Sequence, residues 1–194
     1  TRKTFLLKAL YSAIPSHEEC SRGKSIRDFS EVLSEKIYWT FQTEKIGDIV
    51  YKGQGKKLNA SITLSDHSSL VFGFTSETTK KVIPQHNNLT PRTSNSVFLP
   101  PKEVLSLMDV IHKTVEIDKI FGFDSTYSDL VAALKIPLQR GRNSDAFAMS
   151  RQNLEGMFDG KVEFDVKSKN WIYKKGKSKF SITLAAEGVK KIAI

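Results

Sequence analysis

The sequence predicts an α+β protein in which an antiparallel β subdomain, a set of helices and a C-terminal three-strand meander follow one another. Apolar and polar residues alternate on both sides of a turn at positions 65–68, and again between positions 162 and 184, which is typical of β-strands. Between positions 104 and 134 the apolar residues instead recur every three or four positions, which is typical of helices. We therefore divide the chain into segments 1–100, 101–160 and 161–194.

The first segment is predicted to begin with two helices. Apolar residues from Phe5 to Ile14 form one broad helical face, and we expect Pro15 to end this helix because proline lacks a backbone donor. A polar loop over positions 17–24 then leads to a second helix, which Ser25 is placed to cap.

A β-hairpin is predicted after these helices. Alternating apolar residues at 58–64 and 70–74 flank the turn, and the segment 48–51 is a candidate neighbouring strand. The Thr- and Asn-rich stretch 75–95 predicts a long loop or connector that a short strand could cross, and 96–99 predicts a short buried strand.

The second segment is predicted to be helical. Pro101 suits the first turn of a helix whose apolar face runs to Val115, a second helix begins at Asp124 and ends at Pro137, and a third covers about 144–158. Their carboxylates are expected to form solvated faces and caps. These carboxylates are Asp109, Glu116, Asp118, Asp124 and Asp129.

The third segment is predicted to be the meander, followed by the start of a helix between 184 and 194. Lysine-rich turns separate its strands, and nine lysines stand against three acids between Lys161 and Lys191. Four of these lysines, with Trp171 and Tyr173, could form a nucleic-acid surface. They are Lys174, Lys175, Lys177 and Lys179. Alternatively, Trp171 and Tyr173 share one sheet face and belong to a core.

Composition favours a cytoplasmic protein with a polyanionic partner. The 194 residues carry a net charge of +9, which suits nucleic acid or nucleotide phosphates as partners but equally describes a generic basic protein. The sequence shows no apolar stretch of membrane-spanning length and no signal-peptide pattern, so we expect no membrane partner. The single cysteine, Cys20, cannot form an internal disulfide, which fits a reducing compartment but equally fits a cysteine-poor secreted protein.

The opening residues resemble the second half of a phosphate-binding Walker A motif. Lys3 and Thr4 precede an apolar helix, as the lysine and threonine of that motif do, while Arg2 stands where the motif has its last glycine. In such a loop the lysine reaches the outer phosphates and the hydroxyl binds Mg²⁺ through the nucleotide. A Lys-Thr pair before a helix also occurs by chance in proteins that bind no nucleotide.

Four stretches together resemble the AAA-family ATPases of the ABC/SMC-like group, including the overcoming-lysogenization type. They are Lys3–Tyr11, Tyr38–Asp48, Val97–Ser106 and Ser181–Lys191. The resemblance implies an incomplete P-loop ABC-ATPase-like head, with an antiparallel β subdomain and a helical lid. ATP and Mg²⁺ are the implied cofactors.

The resemblance also implies roles for particular residues. Lys102 would lie near the outer phosphates, where the nucleotide lobe passes into the lid. Glu187 and Gly188 would begin a signature helix that faces nucleotide held by another subunit, which implies a homodimer or a completing ATPase chain. A helix N-terminus favours phosphate, and glycine permits close approach of its backbone.

The family's Walker B strand, with its metal-binding and catalytic carboxylates, is not found in these 194 residues. We therefore expect ATP binding without hydrolysis by this chain alone, because phosphoryl transfer depends on a placed metal and water. The alternative function is a non-enzymatic module that binds nucleic acid or protein on a degenerate ATPase scaffold. A third is a structural half that another chain completes.

Overall fold

The computed structural model describes residues 2–23, 26–51, 57–92, 95–135, 145–168 and 170–192. Its helices are α1 (Arg2–Ser21), α2 (Phe29–Phe41), α3 (Met108–His112), α4 (Ser125–Lys135), α5 (Asp145–Phe158) and α6 (Glu187–Ile192). Its strands are β1 (Lys57–Thr63), β2 (Ser69–Thr75), β3 (Pro84–Asn87), β4 (Lys161–Asp165), β5 (Asn170–Lys175) and β6 (Ser178–Ser181). The predicted α+β class is confirmed. No helix in the described ranges is long and apolar enough to cross a membrane.

The first helix is longer than its sequence predicts. Pro15 lies inside α1, which continues to Ser21, so the predicted helix end and the loop starting at position 17 are wrong. Ala13 and Ser16 on either side of the proline are fully buried, and Ser16 Oγ donates to the Ser12 carbonyl at 2.7 Å. Burial on both sides of Pro15 outweighs the one backbone hydrogen bond that a proline removes.

The second helix begins later than predicted. Asp28 is the residue before the first turn of α2, and Ile26 is fully exposed, while Ser25 lies outside the described residues. Leu33 and Ile37 are buried, as their spacing predicts. They pack in a first core that α1, α2 and the hairpin share.

The hairpin is confirmed, with Leu58, Ala60 and Ile62 opposite Phe74, Phe72 and Leu70 in the antiparallel β1–β2 register. A short strand does cross the following connector, because β3 pairs antiparallel with β2.

The predicted strand at 48–51 is wrong. A 3₁₀ helix, Ile46–Ile49, occupies this position, and the backbone N–H groups of Ile46 and Gly47 donate to the Thr79 and Thr78 carbonyls at 3.0 and 2.8 Å.

Asp66 makes the hairpin turn sensitive to acid. Its carboxylate accepts hydrogen bonds from the hydroxyls of Ser68 and Thr90 and from the Ser68 backbone N–H, and these lower the pKa of Asp66 to about 2. A lowered folded-state pKa stabilises the fold above pH 3.8, its ordinary value, and this contribution is lost as the pH falls towards 2.

We therefore expect the Asp66→Asn variant to lose less stability than the wild type between pH 5 and about 2.5, because asparagine does not titrate. Urea unfolding midpoints measured across this range test the expectation. Parallel pH dependence in the two proteins would contradict it.

The connector between the two halves of the chain contains no strand at 96–99, contrary to prediction. Val97 and Leu99 are 51% and 66% exposed, and Ser96 is fixed instead by Glu18 of α1, which accepts from the Ser96 backbone N–H and hydroxyl at 2.8 Å each. The next helix, α3, begins at Met108, so Pro101 does not lie in its first turn. A π-helical turn, Lys113–Ile117, continues it.

The predicted apolar face of this region is nevertheless correct and forms a second core. Val104, Leu105, Met108, Ile111 and Val115 are all buried there together with Tyr127, Leu130 and Val131 of α4. The meander is also confirmed, in the order β4–β5–β6. Its Tyr173 and the neighbouring Ile182 are buried in this same second core, so the helices and the meander pack as one unit.

Candidate functional site

The N-terminal end of α1 carries the residues predicted to bind phosphate. Lys3 and Thr4 lie in the first turn of this 20-residue helix, with exposed side chains. The backbone of Arg2 begins the helix, while its side chain lies outside the description. The first four N–H groups of a helix lack partners within the helix, and its dipole places partial positive charge there. This end of α1 can therefore attract an anion.

One turn further along, α1 contacts α4 through charged groups. Lys8 Nζ donates to the Asp124 carboxylate at 2.6 Å and to the Thr40 carbonyl, at the end of α2, at 3.0 Å. Asp124 also caps α4, since its second oxygen accepts from the Thr126 backbone N–H at 2.9 Å. The predicted capping role of Asp124 is correct, but its side chain is only 12% exposed and pairs with Lys8.

A second carboxylate of α4 makes similar contacts. Asp129 accepts a hydrogen bond from the Tyr11 hydroxyl and another from Lys36 Nζ at 2.8 Å. Burial, and then the charge of Asp129, raise the pKa of Tyr11 above its ordinary value, so Tyr11 stays the donor. We refer to Lys8, Tyr11, Lys36, Asp124 and Asp129 as the polar cluster. The sequence gives no sign of this cluster beyond the position of Lys8 and Tyr11 on one face of α1.

Lys102 lies in the connector before α3, with an exposed side chain. The next residue, Glu103, is buried and accepts from the Ser106 backbone N–H at 2.8 Å and from its hydroxyl. The hydrogen bond between the Lys102 backbone and Tyr127 ties this connector to α4. Lys102 is thus held at the edge of the second core, whereas α1 packs in the first.

Glu187 and Gly188 are the first two residues of α6, as the sequence predicts. Glu187 pairs with the buried Lys190 at 2.9 Å. A Cβ atom at Gly188 would meet nothing within 4 Å, and the backbone there does not have positive φ, so the described chain does not itself require glycine. α6 contacts the second core through Val189, whereas α1 packs in the first.

Three of the four lysines predicted to bind nucleic acid form ion pairs with carboxylates. Lys174 pairs with Glu163, Lys175 with Asp159 at 2.6 Å, and Lys179 with Asp165 at 3.4 Å, while Lys177 is exposed in the turn between β5 and β6. The Lys174 hydrogen bond lowers the pKa of Glu163. These pairs reduce the field that a polyanion would encounter.

Trp171 and Tyr173 of the meander face the core. Trp171 and Tyr173 lie on the same side of β5, Tyr173 is buried, and the Trp171 indole N–H donates to Met108 Sδ at 3.0 Å. The alternative that assigned these two rings to a core is therefore correct. Base stacking needs an exposed ring face, which neither Trp171 nor Tyr173 offers, whereas Phe164 of β4 is 46% exposed. Nucleic-acid binding stays a prediction.

A cleft of about 320 Å³ opens beside the polar cluster, between α2 and the α3–α4 pair. Its charged lining is mostly paired internally, as in the Arg27–Glu35, Lys36–Asp129 and Lys119–Glu116 pairs. Lys3, Thr4, Lys102, Glu187 and Gly188 lie outside its lining. Nothing in the cleft selects one class of ligand.

No family model matches this chain, and no curated protein or solved structure matches it either. The two antiparallel sheets and the helices are the observed architecture, and the P-loop ATPase fold stays a prediction. The residues that suggest it are exposed and lie on different parts of the fold: Lys3 and Thr4 are on α1, which packs in the first core, and Lys102 and Glu187 are on segments next to the second. Its assignment to the ABC/SMC-like ATPases therefore depends on the sequence resemblance.

Proposed function

We propose that this chain binds ATP and Mg²⁺ at the N-terminal end of α1 as part of an ABC/SMC-like ATPase head. The observation that carries the proposal is the placement of Lys3 and Thr4, both exposed, in the first turn of a 20-residue helix. Lys3 would donate to the outer phosphates, and the Thr4 hydroxyl would face the magnesium.

The proposed site is completed by a second subunit. Glu187 and Gly188 of another copy, or of a related ATPase chain, would contact the nucleotide, and Lys102 would lie near its outer phosphates. The open space around Gly188 supports this part of the proposal, because it leaves the backbone at the start of α6 open to a partner. The backbone N–H groups at the start of α6 would face the phosphates of that nucleotide.

Calorimetric titration with Mg·ATP tests the proposal on the wild type and on Lys3→Ala. We expect micromolar binding by the wild type and a loss of at least about tenfold in Lys3→Ala, because a charge-assisted hydrogen bond to phosphate is removed. Lys80→Ala is the matched control, since it removes one exposed lysine from the loop after β2. Its affinity should equal that of the wild type.

The variant Arg2→Gly restores the residue that the Walker A pattern has at this position, and we expect it to bind more tightly than the wild type. Equal ATP affinity in the wild type and in Lys3→Ala would contradict the proposal. Absence of heat from the wild type would contradict it as well, and would make the exposed lysines of the meander the next surface to test with nucleic acid at several salt concentrations.

A further inference from the structure

Three lysines lie in one line across the meander. Lys161 of β4 stands directly opposite Lys174 of β5, and Lys174 stands directly opposite Lys179 of β6. Side chains opposite one another in neighbouring strands point to the same face of a sheet, so all three ammonium groups are on one face. We refer to these three residues as the lysine row. Their side chains are 50%, 39% and 52% exposed, so the row faces solvent.

The lysine row is not explained by the stability or the solubility of the sheet. Like charges directly opposite one another destabilise paired strands. Lysines on edge strands prevent sheets from pairing edge to edge, which accounts for Lys161 and Lys179, because β4 and β6 are the edges. Lys174 lies on the central strand, where it protects no edge and has a lysine on each side. A bound anion would remove this repulsion.

The carboxylates on the same face leave part of this charge uncompensated. Glu163 pairs with both Lys174 and Lys161, the latter at 3.6 Å. Asp165 pairs with the third member of the row at 3.4 Å. Three ammonium groups therefore share two carboxylates, and exposed ion pairs contribute little to stability, so phosphates can replace them. Lys177, exposed in the turn beside the row, adds a further positive charge.

The geometry of the lysine row fits a linear polyanion. Neighbouring strands lie about 4.8 Å apart, so three lysines in register extend over about 10 Å. The phosphates of one nucleic-acid strand recur about every 3.4 Å along a duplex. About three consecutive phosphates can therefore lie along the row.

The face that carries the row offers phosphate contacts without base stacking. Within the described residues of the three strands, the aromatic side chains lie on the opposite face, because they alternate with the lysines along each strand. They are Phe164, Trp171, Tyr173 and Phe180. Single strands are held by stacking on aromatic rings as well as by charge, whereas a duplex can be held by its phosphates. The row therefore favours a duplex.

From this arrangement we propose that the lysine-row face of the meander binds the phosphate backbone of a nucleic-acid duplex, independently of base sequence. Phosphates take the place of Glu163 and Asp165 as partners of the row and relieve the repulsion among its members. This inference goes beyond the proposed nucleotide site and does not depend on it, because the two sites consist of different residues.

Fluorescence anisotropy with a labelled DNA duplex of about 20 base pairs tests the proposal between about 50 and 200 mM salt. For about three phosphate contacts, a plot of the logarithm of the wild-type association constant against that of the salt concentration should have a slope of about −2.7. Lys174→Gln removes one contact, so we expect a slope of about −1.8 and binding about tenfold weaker at the lowest salt. Lys80→Gln, which removes an exposed lysine from the loop after β2, is the control and should bind like the wild type.

Glu163→Gln should change the affinity in the opposite direction. It frees two lysines from the carboxylate that they share, so we expect this variant to bind the duplex severalfold more tightly than the wild type. A purely structural role for the row predicts no such gain. If circular dichroism shows Lys174→Gln to be unfolded, Lys179→Gln replaces it, because it removes a row member from an edge strand.

Four results would overturn the proposal. They are a wild type that binds no duplex, a Lys174→Gln variant with the affinity and salt slope of the wild type, a Glu163→Gln variant that binds no more tightly, and tighter binding to a single strand of the same length than to the duplex. Binding to vesicles that contain phosphatidylserine, but not to the duplex, would overturn it in favour of a membrane surface. Lys3→Ala should bind the duplex like the wild type, so the nucleotide site and the lysine row are tested separately.

Discussion

Replacing Ile182 by alanine is expected to lower the free energy of unfolding by about 3–4 kcal/mol, because the side chain is fully buried and its removal leaves a cavity. Ile182 follows the last strand of the meander and packs in the core with Val104 and Ile111 of the helical segment. The loss should therefore affect the helices as well as the meander. Urea unfolding and hydrogen exchange of α4 measure the two effects.

Leu184→Ala is the matched control, two residues further along the chain. Its side chain is 76% exposed, so the substitution should change the free energy of unfolding by no more than about 0.5 kcal/mol. If Ile182→Ala increased exchange in the meander but left α4 as protected as in the wild type, the shared core would be refuted. The predicted boundary at position 160 would then separate two independent units.

The second large effect is expected at Gly47, where alanine should destabilise the protein by about 2–3 kcal/mol. The backbone of the 3₁₀ helix approaches the loop after β2 so closely that a Cβ atom at Gly47 would lie 2.7 Å from the carbonyl carbon of Ser76 and closer still to its oxygen. A backbone group cannot move aside as the end of a long side chain can. Chemical unfolding of Gly47→Ala measures the loss.

Gly156→Ala is the same substitution at a position where the added Cβ atom has open space. Gly156 lies within α5, and a Cβ atom there would meet nothing within 4 Å. Alanine is the better helix former, so this variant should be more stable than the wild type by about 0.5–1 kcal/mol. A similar loss in both variants would show that the contact with Ser76 is not the cause.

Sequence patterns correctly predicted the elements whose structure depends on residues close together in the chain. The hairpin has alternation on both sides of a turn, and the apolar face from Val104 to Val115 keeps helical spacing even where its first residues are not helical. Pro15 and the segment 96–99 were predicted incorrectly for one reason. Their conformation depends on contacts distant in the chain, such as the bonds from Glu18 to Ser96.

In the candidate site, too, local features could be predicted from the sequence and contacts between distant residues could not. The resemblance to a Walker A motif placed Lys3 and Thr4 at the beginning of a helix, and the resemblance to the ATPase family placed Glu187 at the beginning of another; helices do begin at these places. The polar cluster escaped prediction because Lys8 and Asp124 are 116 residues apart, and a single sequence gives no indication that their charges meet. Only the fold, which brings the start of α4 to α1, turns these two residues into a partly buried ion pair.

The two tryptophans of the chain have distinct surroundings, and this gives each a separate use as an optical probe. Trp39 lies in the ring contact between α2 and Phe121, while Trp171 lies against the Met108 sulfur in the second core. Replacing either one by phenylalanine leaves tryptophan fluorescence from a single known place. Changes at the contact between α2 and Phe121 and loosening of the second core can thus be followed separately, in solution and in real time.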